Sequence, residues 1–146
     1  MSRAPVAAFA LAALVAAGAA AEQDSKPAAK AASPSGWILP PDAEDTKNPY
    51  PADGLLLATG KAVFKDKCQR CHGPGGLGDG PDADPDIQED MDLTNPKRAA
   101  RNSDGVVFFK VSNGRRRPKM PAFKEELNER QIWAVVAYSQ SLRKKP

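Results

Sequence analysis

The chain has 146 residues, 41% hydrophobic and 27% charged, with a mean hydropathy of −0.50; this suits one small globular domain plus extra chain and excludes a multi-span membrane protein or a second large domain. Two cysteines and one histidine exclude a multi-disulfide framework and any Cys/His zinc site built without carboxylates. A formal net charge of +3 is too small at this length for a general nucleic-acid binder, so no nucleic-acid partner is expected.

Met1 to Arg3 is a short positive start. It is followed by 18 uncharged residues, mostly Ala and Leu, that end Ala19-Ala20-Ala21 before Glu22. These are the parts of a secretory signal peptide over residues 1–21. The alternative is an uncleaved anchor, since such a helix would cover roughly 27 Å. Alanine adds little insertion energy and the small-residue end suits a signal peptidase, which favours cleavage after Ala21 and a periplasmic location. Membrane association is expected only if the segment stays attached.

Residues 22–51 carry six prolines and no apolar periodicity, and read as an arm or linker with polyproline character. Trp37-Ile38-Leu39 interrupts it, with two readings open: a docking point on the folded domain, or a short apolar spot in a loose arm. Residues 52–146 remain to form one compact unit. It is near the size at which a single core is marginal without a staple or cofactor.

Three helices are expected there. The first runs from about Gly54 to Lys67 with Asp53 as N-cap, and Leu56, Gly60, Val63 and Phe64 share one face. Gly60 costs about 1 kcal/mol relative to Ala in mid-helix, which either a plain lapse in propensity or a close helix crossing would explain. The second helix begins after Ser103 and stops at Asn113-Gly114, a pair suited to a left-handed cap. In the third, Asn128 and Gln131 have capping-box spacing, and Leu127 and Ile132 the spacing of a hydrophobic staple. Ile132, Val135, Val136, Tyr138 and Leu142 form its apolar stripe. The stretch from Gly73 to Pro96 reads as loop, and no segment alternates as a strand. The fold class is all-α with long loops.

The chemistry lies in Cys68-Gln69-Arg70-Cys71-His72, a C-x-x-C-H motif, the attachment pattern of a c-type haem. Each thiol can add to one porphyrin vinyl group while the adjacent imidazole turns under the macrocycle to reach the iron. A thioredoxin-like pair would need a βαβ pattern, a plain disulfide leaves His72 without a role, and a Cys/Cys/His/carboxylate metal site would be unusual. One covalently bound haem c is therefore expected. Bis-histidine ligation is excluded within the chain, which leaves Met91 and Met120 as candidate sixth ligands once the signal is removed. Met120 is favoured, because Pro121 restricts it to an extended backbone that suits a loop presenting its side chain across a cavity. His/Met ligation raises the reduction potential.

From Asp53 to Leu142 the chain resembles the monohaem class I cytochromes c of bacteria. Gly60 and Phe64 stand where that family places the glycine and aromatic of its first helix, and Val135 and Tyr138 match the last-helix positions that pack on them. Gly78-Asp79-Gly80-Pro81 resembles the family's glycine-rich loop. The resemblance implies that the Pro81 carbonyl accepts a hydrogen bond from the proximal imidazole, fixing its tautomer. Asp92-Leu93-Thr94, Asn113-Gly114 and Met120-Pro121-Ala122-Phe123 match recurrent patterns in order and spacing. The Pro-rich arm and Arg115-Arg116-Arg117 depart from it.

The resemblance implies a class I cytochrome c-like fold with three main helices around one haem. It also implies an electron carrier with Cys68 and Cys71 as covalent attachments and His72 and Met120 as axial ligands. With both axial positions filled and no other catalytic constellation, no enzymatic activity of its own is expected. The alternative is a haem subunit or tethered module of a larger periplasmic dehydrogenase or oxidase. Seven acidic residues and no basic one lie between Asp79 and Asp92, whereas eight basic and one acidic lie between Lys97 and Lys119. These are either mutually balancing solvated loops or a basic rim that steers a redox partner with an acidic docking surface.

Overall fold

The computed structural model describes Met1 and residues 36–143. The expected signal peptide and the first part of the Pro-rich arm lie outside the described residues. No helix among the described residues is long and apolar enough to cross a membrane.

Asp53 starts the first helix as its sequence suggests: the carboxylate accepts from the Leu56 amide at 2.8 Å, satisfying one of the orphan donors of a helix N-terminus. Helix α1 (Gly54–Val63) passes into a π-helical turn (Phe64–Cys68), in which the Gln69 amide donates to the Phe64 carbonyl, and continues as α2 (Gln69–His72). The expected stop near Lys67 is therefore overrun, and the helical path extends through His72. One residue inserted into an α-helix shifts the phase of everything after it by about 100°, so the turn carrying the motif leaves the register of the face that packs on the core.

The acidic stretch, expected to be loop, contains a 3₁₀ turn (Pro85–Ile87) and two short helices, α3 (Gln88–Met91) and α4 (Pro96–Ala99). Asp84 and Asn95 cap the 3₁₀ turn and α4, and each element starts with proline, whose fixed φ and missing N–H suit a first helical position. Helix α5 (Asp104–Asn113) begins and ends where expected, with Gly114 at positive φ donating its N–H to the Lys110 carbonyl. Helix α6 (Glu129–Ser141) carries the full capping box: Asn128 Oδ1 accepts from the Gln131 amide at 2.9 Å, and Gln131 Oε1 accepts from the Asn128 amide at 3.0 Å. Leu127 and Ile132 are both buried in the core cluster, as a hydrophobic staple requires.

α1 and α6 make the principal contact. A Cβ placed at Gly60 would collide with the Ala134 carbonyl and lie 2.8 Å from Tyr138 Cβ; the helices cross too closely for any side chain there. One turn on, Phe64 and Tyr138 meet with ring centroids 5.3 Å apart at 59°, a tilted aromatic contact. Val63, Phe64, Val111, Phe123, Leu127, Ile132 and Val135 form the core between α1, α5 and α6. The only pairings of β type among the described residues are isolated bridges, Leu77 with Asp92 and Arg115 with Met120.

The described part of the arm is docked rather than loose. Trp37 is 7% exposed, whereas its neighbour Ile38 is 77% exposed, so of the two the tryptophan is the one that docks. Further along, the Gly105 amide donates to the Thr46 carbonyl at 3.0 Å and Asn48 Nδ2 to the Trp133 carbonyl at 3.0 Å. The arm is thereby fastened across α5 and α6.

Candidate functional site

The end of the first helical path opens onto a cavity of about 190 Å³ lined by Cys68, Cys71, His72, Met91 and Met120 among others. Both cysteines are free thiols, on successive turns of one helical path, so no disulfide occupies them. Burial pushes the Cys68 thiol up to about 12, with the neighbouring Cys71 adding to the shift; the group stays a neutral thiol at ordinary pH. Burial holds His72 below its usual value, opposed by a hydrogen bond to a backbone carbonyl, and the neutral imidazole is the form that ligates metals.

That carbonyl belongs to Met91, 2.8 Å from His72 Nδ1. A carbonyl only accepts, so Nδ1 carries the proton and Nε2 keeps its lone pair for a metal. This corrects the assignment of the acceptor to Pro81, which is exposed. The reason is the path of the loop. Gly80 and Asp82 donate their amides to the carbonyls of Cys71 at 3.3 Å and Arg70 at 2.8 Å, which holds Pro81 on the outer flank of α2. Residues 91–93 are instead drawn in: the Leu93 amide donates to the Gly76 carbonyl at 2.7 Å, and Leu77 pairs with Asp92. Gly78, at φ +74 and with a Cβ position 2.5 Å from the Gln88 carbonyl, permits the close return that only glycine allows. Nothing in a sequence marks a main-chain oxygen, so Met91 was visible only as a candidate side-chain ligand.

Met120 reaches the same cavity from another direction. The amides and carbonyls of Arg115 and Met120 exchange hydrogen bonds at 2.7 and 2.8 Å, closing a loop with Met120 at its base. The Phe123 amide then donates to the Val111 carbonyl at 3.0 Å, anchoring the segment on α5. Met120 packs, partly buried, against the core cluster, as Cys68 does. The main chain of Met91 is committed to the imidazole, whereas that of Met120 is held by Arg115.

The remaining walls divide by polarity. Phe64, Leu93, Val107, Val111, Phe123 and Val135 supply an apolar lining, and Arg98, Lys110, Arg115, Lys119 and Arg143 supply a cationic one. Trp37 also lines the cavity. Neither the tryptophan's role here nor that of Lys110 was apparent from sequence, because no local pattern reports a contact across the fold. Two free thiols beside an imidazole with one committed nitrogen, an apolar bed and a cationic edge suit an amphiphilic macrocycle with an iron centre and carboxylate side chains. The residues present fit haem. Among the described residues no group of three or more His, Cys, Asp or Glu side chains converges as a separate metal site.

The family model described as cytochrome c oxidase, cbb3-type, subunit III, matches residues 56–138. Among solved structures, the c-type cytochrome KustC0563 is similar at 24% identity over 58% of this chain and 98% of its own, with a TM-score of 0.48. A chain of the reducing HAO-like protein complex Kustc0457/Kustc0458 of Kuenenia stuttgartiensis aligns at 24% identity over 66% of this chain, with a TM-score of 0.49. The alignment spans 47% of that longer chain. The family match covers more than half of the sequence, and the chain belongs to this family of monohaem c-type cytochromes, all-α electron-transfer domains that carry haem c covalently.

Proposed function

We propose that this c-type cytochrome is an exported one-electron carrier in which Cys68 and Cys71 form the thioethers to haem c and His72 and Met120 are the axial ligands of its iron. The observation that carries the reading is the convergence of one helical path, with its two free thiols and an Nδ1-protonated imidazole, on a cavity that Met120 also lines. When bound, haem supplies a one-electron couple between ferrous and ferric iron.

The chain's residues do the rest. The Met91 carbonyl keeps the Nδ1 proton of His72 in place and the ring oriented, which makes the imidazole a stronger ligand. The thioether of Met120 favours the ferrous state and raises the potential. The apolar walls from the π-helical turn, α5 and α6 (Phe64, Val107, Val111 and Val135) would keep water from the group, so that little solvent would reorganise on electron transfer. If His72 and Met120 both hold the iron, no position on it would be left for a substrate. The basic rim between Lys97 and Lys119 supports electrostatic steering of a partner with an acidic docking surface.

The composition of residues 1–21 supports export to the periplasm. A second reading is favoured by the family description, which is that of an oxidase subunit: the domain serves as a haem module of a larger oxidase or dehydrogenase. Purification from the native host decides between them. A free carrier elutes as a monomer, and a module remains with a large partner. The test of the carrier site itself is reductive titration with carbon monoxide present. Single-electron behaviour without gas binding is expected; ready binding to the reduced protein would contradict two side-chain axial ligands.

A further inference from the structure

The cavity's cationic residues include two gathered around a single indole. Lys110 Nζ lies 5.5 Å from the centroid of the Trp37 ring and the Arg115 guanidinium carbon 5.0 Å from it. Both distances are within reach of a cation–π attraction. Lys110 Nζ also donates to Asn102 Oδ1 at 2.5 Å. The acidic side chains that line the same cavity are engaged elsewhere: Asp90 pairs with Arg98, and Asp92 Oδ1 accepts from the Thr94 amide and hydroxyl.

Lys110 is thus a largely buried ammonium whose described contacts, an amide oxygen and an aromatic face, are both neutral. Burial pushes it down to about 8, and the charges that add to the shift, Arg115, Arg98 and Arg101, are all positive. Gathering like charges in a desolvated corner is unfavourable. An anion entering the corner reverses the sign of that term, and the arrangement is the one expected of a site built for carboxylates. Trp37 lies in the arm, ahead of the residues that the family model matches, whereas Lys110 and Arg115 lie within them; the indole is the part of the corner that the family match does not cover.

We propose that Trp37 of the N-terminal arm, with Lys110 and Arg115, forms the carboxylate-binding corner of the cavity, the indole sealing the pocket and holding the two cations against the haem propionates. The inference rests on the haem reading above and extends it: the arm becomes part of the cofactor site rather than a tether. A cation fixed beside a propionate lowers the electrostatic cost of adding an electron to the haem. Removing it lowers the potential.

The test compares holoproteins of the wild type, Lys110→Met, Lys110→Arg, Trp37→Ala and an exposed basic control outside the cavity, Lys124→Met. The readouts are covalent haem content, the propionate-bending bands in resonance Raman spectra, and the midpoint potential. Displaced propionate bands and a lowered potential are expected for Lys110→Met and Trp37→Ala, with both readouts near wild type in Lys110→Arg and Lys124→Met. Unmoved bands and potentials in haem-loaded Lys110→Met overturn the proposal while leaving the haem reading intact. A wild-type protein without covalent haem overturns the haem reading itself. Should Trp37→Ala fail to accumulate, the contrast between Lys110→Met and Lys110→Arg decides alone.

Discussion

His72 Nδ1 donates to the Met91 carbonyl at 2.8 Å, across a sequence separation of 19 residues. The acidic segment between them, which looks like spacer in the sequence, is what holds the imidazole. It is tied at one end by Gly80 and Asp82 to the carbonyls of α2 and at the other by Leu93 to Gly76. The group that orients His72 is therefore a main-chain carbonyl.

Replacing Met91 with leucine tests this directly. The carbonyl survives the substitution, and the side-chain volumes are close, so less than about 1.5 kcal/mol of stability is at stake. The absorption spectrum of Met91→Leu is expected to match wild type in both oxidation states. Loss of a sulfur-to-iron band in that variant would make Met91 the ligand.

Gly60→Ala places a methyl group against the Ala134 carbonyl and Tyr138 Cβ. Helix propensity alone would favour alanine by about 1 kcal/mol, but overpacking of a tight contact costs roughly 1–3 kcal/mol or more. A net loss in thermal midpoint is expected, measured on the haem-loaded protein. A gain in stability would mean that α1 and α6 do not cross this closely.

Asn128→Ala removes one side of the capping box on α6. A loss of about 1 kcal/mol is expected, which for a domain of this size lowers the thermal midpoint by roughly 4–8 °C. The spectrum should not change, since the cap is remote from the cavity lining.

Asp82 bonds Arg70 through both carboxylate oxygens, at 2.5 and 2.8 Å, and the Arg70 hydrogen bond holds its carboxyl below the ordinary value. A depressed carboxyl group contributes stability above its unfolded pKa and loses it as the pH falls through the folded one. Wild type should therefore exceed Asp82→Asn slightly at pH 7, and the two should converge below about pH 3. Both groups are solvent-exposed, so added salt should also narrow the gap. Denaturant titrations at the two pH values check the sign; a difference that grows on acidification would refute it.

What was legible in the sequence was local. Asp53 and Asn128 mark the starts of α1 and α6, because side-chain capping depends on residues within one turn; Ser103 stands at the start of α5 without a side-chain cap bond, its hydroxyl donating to the Ala43 carbonyl instead. Gly60 was legible as a crossing through the family resemblance, since a mid-helix glycine alone is also consistent with a lapse in propensity. The π-helical turn at Phe64–Cys68 was not, since slipping one hydrogen bond depends on where the core and the motif must face. Trp37 stayed undecided, as docking depends on partners in α5 and the 115–120 loop, about 70 residues away. The Pro81 assignment, which followed from the family resemblance of the glycine-rich loop, failed because the path of that loop decides which carbonyl reaches the ring, and here it is that of Met91.

Met120 as the sixth ligand is the central claim, and one comparison reaches it most directly: optical spectra of the purified holoprotein, oxidised and reduced, for wild type and Met120→Ala. His/Met ligation predicts a low-spin c-type spectrum with a weak long-wavelength sulfur-to-iron band in the oxidised wild type, lost in the variant. A wild-type spectrum that is already high-spin, or a variant spectrum that keeps the band, would contradict it.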